Sequence, residues 1–136
     1  MTDKYKILGQ VNNTESASVI VNVPVADETT VDSVVVSPHS ASSLYQVLVT
    51  SLYVCEMTGS LTDTLYEVYV DPADSSTNSY LFKNRSLAKN ATDILDIKLT
   101  LSPGDKVYVR STSVAGAANV DFTAFGIEMV SGFGPS

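Results

Sequence analysis

The residues of this chain that could do chemistry are few and scattered. His39 is its single histidine, set in the polar run Ser37-Pro38-His39-Ser40, with no second histidine and no nearby cysteine to complete a triad or a zinc site. A solvated loop histidine is the reading that follows. Cys55 is the lone cysteine and can form no internal disulfide; its neighbours Leu52, Tyr53 and Val54 predict a packed, unreactive thiol. Serine and threonine are abundant, but no Gly-x-Ser-x-Gly elbow or base motif accompanies them, and the glycines stand singly instead of forming a phosphate loop. No catalytic, cofactor-binding or metal-binding set is therefore assigned, and the chain reads as a non-enzyme.

Two weaker constellations remain. Asp71 and Asp74, in Asp71-Pro72-Ala73-Asp74-Ser75-Ser76-Thr77-Asn78, offer oxygen ligands with Ser75, Ser76 and Asn78 as helpers. Their spacing does not match a twelve-residue calcium loop and no glutamate closes it, so a plain polar loop competes with calcium here. Seven tyrosines and no tryptophan raise a sugar-stacking platform, with Tyr69 and Tyr108 as the outward candidates. Against this stands the ordinary use of tyrosine on sheet surfaces and at subunit contacts. Asn12-Asn13-Thr14, Asn84-Arg85-Ser86 and Asn90-Ala91-Thr92 fit the glycosylation pattern, read as coincidence because Met1 to Lys6 lacks the apolar region of a secretory signal.

The bulk properties restrict partners. A length of 136 residues fits one domain, 1–136, long enough for a core without metals or disulfides. No apolar run approaches the roughly 18 to 20 residues of a membrane helix. The net charge of −7, with 15 acidic against 8 basic residues and no basic cluster, would repel phosphate backbones and anionic lipid surfaces. Neither nucleic acid nor membrane is expected as a partner.

The elements that must position these residues are strands. Leu95, Ile97, Leu99 and Leu101 alternate with Asp96, Lys98, Thr100 and Ser102, and the pattern resumes with Val107 and Val109. Between them, Ser102-Pro103-Gly104-Asp105 predicts a type II turn, which suits an arch from one sheet to another better than a tight hairpin. Tyr5, Ile7, Gly9 and Val11 predict one face of an opening strand, with Lys6, Leu8 and Gln10 opposite. Val19, Val21, Val23 and Val25 predict a second strand, placed at an edge by Pro24. Thr30 to Val36 is β-branched and predicts a third. In Leu44 to Cys55 the parity changes from Tyr45, Val47 and Val49 to Leu52 and Val54, so Thr50 and Ser51 mark a bulge or a change of sheet. Tyr66, Val68 and Val70 point inward, Tyr80 to Phe82 forms a brief strand, and Asn84 to Asn90 reads as a crossing loop. The last strand reads Val120, Phe122 and Ala124 inward, then switches to Phe125, Ile127 and Met129, with a second bulge at Gly126. No helical period persists. About nine short strands predict an all-β, single-domain β-sandwich with a jelly-roll-like arrangement.

Three motifs carry a resemblance: Tyr5-Lys6-Ile7-Leu8-Gly9-Gln10 at the start, Leu101-Ser102-Pro103-Gly104-Asp105 before a Val-x-Val strand, and Phe122-Thr123-Ala124-Phe125-Gly126 near the end. In this order they resemble small virion structural proteins of tailed bacteriophages of the marine and cyanobacterial phage type. The region Val19 to Ser43 departs from the pattern and reads as an extra hairpin. The resemblance implies a capsid decoration or cement protein, assembled in the host cytoplasm and carried in the virion. It would be a homo-oligomer, with a trimer favoured, that binds neighbouring major capsid proteins; outward valines, Leu8 and the Phe133 tail would supply contacts. It implies no enzymatic residues and no cofactor. A neck- or tail-associated adaptor or fibre subunit is the close variant. A carbohydrate-binding module reading host surface glycans is the alternative of another class.

Overall fold

The structure, a computed structural model, describes residues 2–14, 16–23, 43–57, 64–73, 76–88, 90–113 and 118–132. These form eight strands: β1 (Thr2–Asn13), β2 (Ser18–Asn22), β3 (Ser43–Glu56), β4 (Thr64–Asp71), β5 (Ser79–Leu87), β6 (Thr92–Leu101), β7 (Lys106–Thr112) and β8 (Val120–Gly132). The strand expected over Thr30 to Val36 lies outside the described residues, as do His39, Asp74, Ser75 and Phe133.

The topology follows from one long hairpin rolled on itself. First pairs with last and so on inward: β1 with β8, β2 with β7, β3 with β6 and β4 with β5, all antiparallel. Rolling adds the contacts β3 with β8 and β4 with β7, giving a first sheet ordered β1-β8-β3-β6 and a second ordered β2-β7-β4-β5. Two four-stranded sheets interleaved this way are a jelly roll. The inner faces meet in one core that includes Leu52, Val54 and Phe122 from the first sheet and Tyr66, Val68 and Val109 from the second. The Tyr66 and Phe122 rings meet edge to face across it at 6.0 Å.

The β6–β7 connection is the arch its residues predict. Gly104 takes φ 93° and the Asp105 amide donates to the Ser102 carbonyl at 3.0 Å, as a type II turn requires. The Asp105 carboxylate accepts from the Ser102 amide and from the Ala73 amide, both at 2.9 Å, so the arch also holds the start of the β4–β5 loop. Val23 closes it from the other side, exchanging backbone bonds with Gly104 and Asp105.

Bulges account for most departures from simple alternation. The register of β3 skips between Val49 and Ser51 against both neighbours, so the parity change there is a bulge within one sheet. In β1 the register shifts between Ile7 and Gly9. Leu8 is consequently buried in the core, while Tyr5 and Ile7 point outward; the expected single face of Tyr5, Ile7, Gly9 and Val11 is split at the bulge, and Leu8 cannot be a contact residue. A shift between Val19 and Val21 likewise buries Ile20 and puts Val19 opposite Tyr108 on the outside of edge strand β2. In β8 the expected switch does not occur. Val120, Phe122, Ala124, Gly126 and Glu128 are all buried, and the irregularity sits in the partners β1 and β3 on either side of Gly126. Finally, β5 runs on through Leu87 where a crossing loop was expected, with Asn84 at φ 50° absorbing a break in its pairing to β4.

Candidate functional site

The two outward sheet faces carry the features that could act. On the second sheet, register places Val19, Tyr108, Tyr69 and Tyr80 in one row across β2, β7, β4 and β5. The two tyrosines singled out from sequence are therefore neighbours, and Tyr80 joins them. Tyr108 and Tyr69 stack with centroids 5.2 Å apart and planes 5° apart; Tyr69 and Tyr80 lie 5.0 Å apart at 42°. The Lys83 ammonium sits 4.2 Å from the Tyr80 centroid. Burial, then the neighbouring Tyr80 and Tyr108 hydroxyls and the carboxylates Glu67 and Asp71, raise the Tyr69 pKa above the usual tyrosine value. The rings stand beside one another like books on a shelf. A sugar stacks on a free ring face, yet Tyr69 gives one face to Tyr108 and meets Tyr80 on its other side.

On the first sheet the outward face carries an apolar cluster. Tyr5 is 65% exposed, Ile94 60%, Ile7 44% and Tyr53 39%, with half-buried Leu48, Phe125 and Ile127 between them. The Tyr53 and Phe125 rings meet edge to face at 5.0 Å. Pairing between β3 and β6 is interrupted where Thr50 faces Ile97 and Lys98, and a hollow of about 540 Å³ opens there, lined by Leu48, Thr50, Asp96, Ile97 and Lys98. A clustered apolar face of this kind on a sheet marks a contact surface. Local pattern turns Tyr53 and Ile94 outward, opposite buried Leu52, Val54 and Leu95, but hides Tyr5 and Ile7, because the bulge at Leu8 decides which way the start of β1 faces.

The remaining candidates are dispersed. Asp71 ends β4, half-buried, and Ser76 and Asn78 are exposed in the following loop. Among the described residues, no group of three or more His, Cys, Asp or Glu side chains is placed to hold a metal. Cys55 is half-buried on the outer side of β3, its sulfur 3.9 Å from the Glu56 carbonyl, rather than packed in the core. Of the glycosylation-pattern asparagines, Asn84 and Asn90 hold left-handed backbone at φ 50° and 59°, a conformation asparagine tolerates better than most residues.

Sequence inspection also passed over the buried polar residues. Asn13, 1% exposed, ties three strands: its Oδ1 accepts from the Ser111 amide at 2.8 Å and the Ser111 hydroxyl at 2.9 Å, while its Nδ2 donates to the Ser18 hydroxyl at 2.9 Å and to the Ser16 carbonyl. Glu128, also 1% exposed, pairs with Lys6 at 3.3 Å. Between β4 of one sheet and β6 of the other, the Tyr66 hydroxyl donates to Asp93 at 2.7 Å, with the Arg85 Nε 3.6 Å from the same oxygen. Burial first, then the hydrogen bond to Asp93 and its charge, push the Tyr66 pKa well above the usual tyrosine value.

No protein-family model matches the chain, and no curated protein matches it. Among solved structures it is similar to a chain of the infectious bursal disease virus structure, Gx strain, at 6% identity and a TM-score of 0.56. A chain from the Gt strain structure gives 10% identity and a TM-score of 0.47, covering 98% of this chain and 33% of that one. The Gx match takes in 99% of this chain and 33% of that one, so this chain spans about a third of the length of the viral chain it resembles. The shared feature is the fold: an all-β sandwich that also occurs in a virus structure.

Proposed function

We propose that this chain is a non-enzymatic structural protein of a virus particle, acting as a capsid decoration or cement subunit that joins neighbouring shell proteins by surface burial. The observation that carries this reading is the near-complete overlay of the chain on part of a virus structure. The apolar outward face of the first sheet supports it, since Tyr5, Ile7, Tyr53 and Ile94 give a shell subunit area to bury against a neighbour. The tailed-phage setting suggested by the sequence motifs belongs to the same proposal, as do a symmetric homo-oligomer, of which a trimer is one form, and a place in the virion. One domain over 1–136 is part of it too.

The test is the copy number of this chain in purified particles, by quantitative mass spectrometry against the major shell protein. A ratio near one, or a simple fraction of it, is the expected result. A ratio of a few per cent moves the subunit to the neck or tail, and absence from particles overturns the proposal. The glycan-binding alternative has its own measurement: under it Tyr108→Ala would abolish binding on a glycan array, whereas the virion reading predicts no binding by either protein.

A further inference from the structure

The outer face of the first sheet has a shape that fits itself. At one edge, on β1, Tyr5 and Ile7 project; toward the other edge, between β3 and β6, lies the hollow beside Leu48. The registers fix their relative heights. One row runs Tyr5, Ile127, Leu48, Thr100 and the next outward row runs Ile7, Phe125, Ser51, Asp96. The hollow, lined by Leu48, Thr50, Asp96, Ile97 and Lys98, sits between those same two rows. Projection and hollow are thus level with each other and lie on opposite sides of the middle of the sheet.

From this we infer that the face is a two-fold interface with a second copy of the chain, in which Tyr5 and Ile7 of each copy enter the hollow beside Leu48 of the other. A two-fold axis parallel to the strands, lying between two stacked faces and over the β8–β3 boundary, exchanges β1 with β6 and β8 with β3. It sets each projection over the opposite hollow and lays Phe125 and Ile127 over β3, which makes the contact isologous and closed. The aligned packing of two such sheets departs from parallel by about 30°, which keeps rows matched best along the axis, where Phe125 and Ile127 meet β3.

Area and charge agree with a second copy as the occupant. Four strands about 4.8 Å apart and some ten residues long at about 3.3 Å each present roughly 600 Å². Two copies would cover about 1,200 Å² in total, the lower bound for a specific interface. The central rows of β1, β8 and β3 carry no charge, and Asp96 and Lys98 at the hollow are of opposite sign. For a chain of net charge −7, these central rows are a place where two copies meet without like charges facing. Salt should then strengthen association, by screening the repulsion between the two acidic bodies.

The inference deepens one part of the virion proposal, the symmetric homo-oligomer, by taking a second copy as the neighbour that buries this face, and its test needs only the isolated protein. Sedimentation equilibrium over a concentration series should give the wild type a mass of twice 14.5 kDa, with tighter association at higher salt. Tyr5→Lys and Leu48→Glu change an exposed and a half-exposed residue, so both should keep the wild-type circular dichroism, and each alone should sediment as a monomer. Mixed in equal amounts, they should recover the dimer, because the axis brings Lys at 5 onto Glu at 48 in one contact and restores the native pair in the other. A monomeric wild type, a single variant that stays dimeric, or a mixture that stays monomeric overturns the inference. None of these results bears on copy number in particles, so the two readings fail separately.

Discussion

Gly126 sits in β8 between two bulged strands, paired with Lys6 on β1 and Val49 on β3. A methyl group there would lie 2.0 Å from the Leu48 carbonyl oxygen, 2.7 Å from Leu8 Cδ1 and 3.0 Å from the Leu48 carbonyl carbon. The first distance decides the outcome. A carbon needs roughly 3.5 Å to a neighbouring heavy atom for good contact, so more than an ångström must be recovered. Leu8 is fully buried and has little room to turn, and the oxygen belongs to the backbone of β3, held between β8 and β6. Gly126→Ala must therefore push β3 and β8 apart. Overpacking of this kind costs about 1–3 kcal/mol. One or two weakened ladder bonds add about 1 kcal/mol each. The reduced freedom of the unfolded chain returns about 0.4–1 kcal/mol. The net is a destabilisation of about 3 kcal/mol, which at an m-value of about 2 kcal/mol/M lowers the urea midpoint by about 1.5 M. Equilibrium unfolding followed by circular dichroism measures it directly. A variant whose midpoint stays within about 0.3 M of the wild type would refute the argument that β8 needs glycine for close approach.

Three further outcomes follow from the polar residues. Tyr66 and Tyr69 have raised pKa values in the folded chain, whereas a tyrosine in the unfolded chain ionises near 10. Above that pH the unfolded state gives up protons that the folded state keeps, so stability should be level below about pH 9 and fall as pH rises past about 10. Tyr66→Phe should lower stability by about 1 kcal/mol at neutral pH, through the lost bond to Asp93, and flatten the alkaline fall; urea midpoints across pH 8–11 for both proteins decide this. Asn13→Ala strands the buried Ser111 amide and should cost about 2–3 kcal/mol, read in the same unfolding assay, with no loss counting against the three-strand tie. The Thr64 hydroxyl is fully buried without a hydrogen-bond partner, so Thr64→Val should raise stability by up to about 1 kcal/mol, and a lower melting temperature would contradict that.

What could be read in the sequence was whatever lay within one strand or one turn. Leu95 to Leu101 and Tyr66 to Val70 show their buried faces because nothing interrupts their period, and Ser102-Pro103-Gly104-Asp105 shows its arch because proline and glycine impose it locally. Thr50 revealed its bulge because both flanks are apolar enough to expose the change of parity. Leu8 and Ile20 did not, since each stands between polar residues of its own parity, Lys6 and Gln10 or Ser18 and Asn22, beside a mostly apolar run of the other parity, an ambiguity that only the bulge resolves. In β8 the same ambiguity suggested a switch at Gly126, although the strand continues regularly and buries Glu128 against Lys6. Asn13 and Glu128 were invisible for a related reason: Asn13 meets Ser111 across 98 residues of chain and Glu128 meets Lys6 across 122.

The candidate surface depends on the shift that could not be read, at Leu8, as much as on the one that could, at Thr50. With simple alternation in β1, Leu8 would join Lys6 and Gln10 on one face, and Tyr5 and Ile7 would join Gly9 and Val11 on the other. The bulge at Leu8 lets Leu8 and Val11 pack toward the core while Tyr5 and Ile7 stay outside, so the same strand supplies apolar residues to both faces. Thr50 has the matching effect in β3, keeping Val49 and Leu52 inside while the interrupted pairing with β6 opens the hollow. A sheet face meant only for water gains nothing from either irregularity, because polar residues on a regular alternation would serve it. Two bulges, flanking Gly126 in adjoining pairs, make one edge of the face project and recess the other. That pairing of irregularities is the structural reason to look for this protein's role in what it packs against.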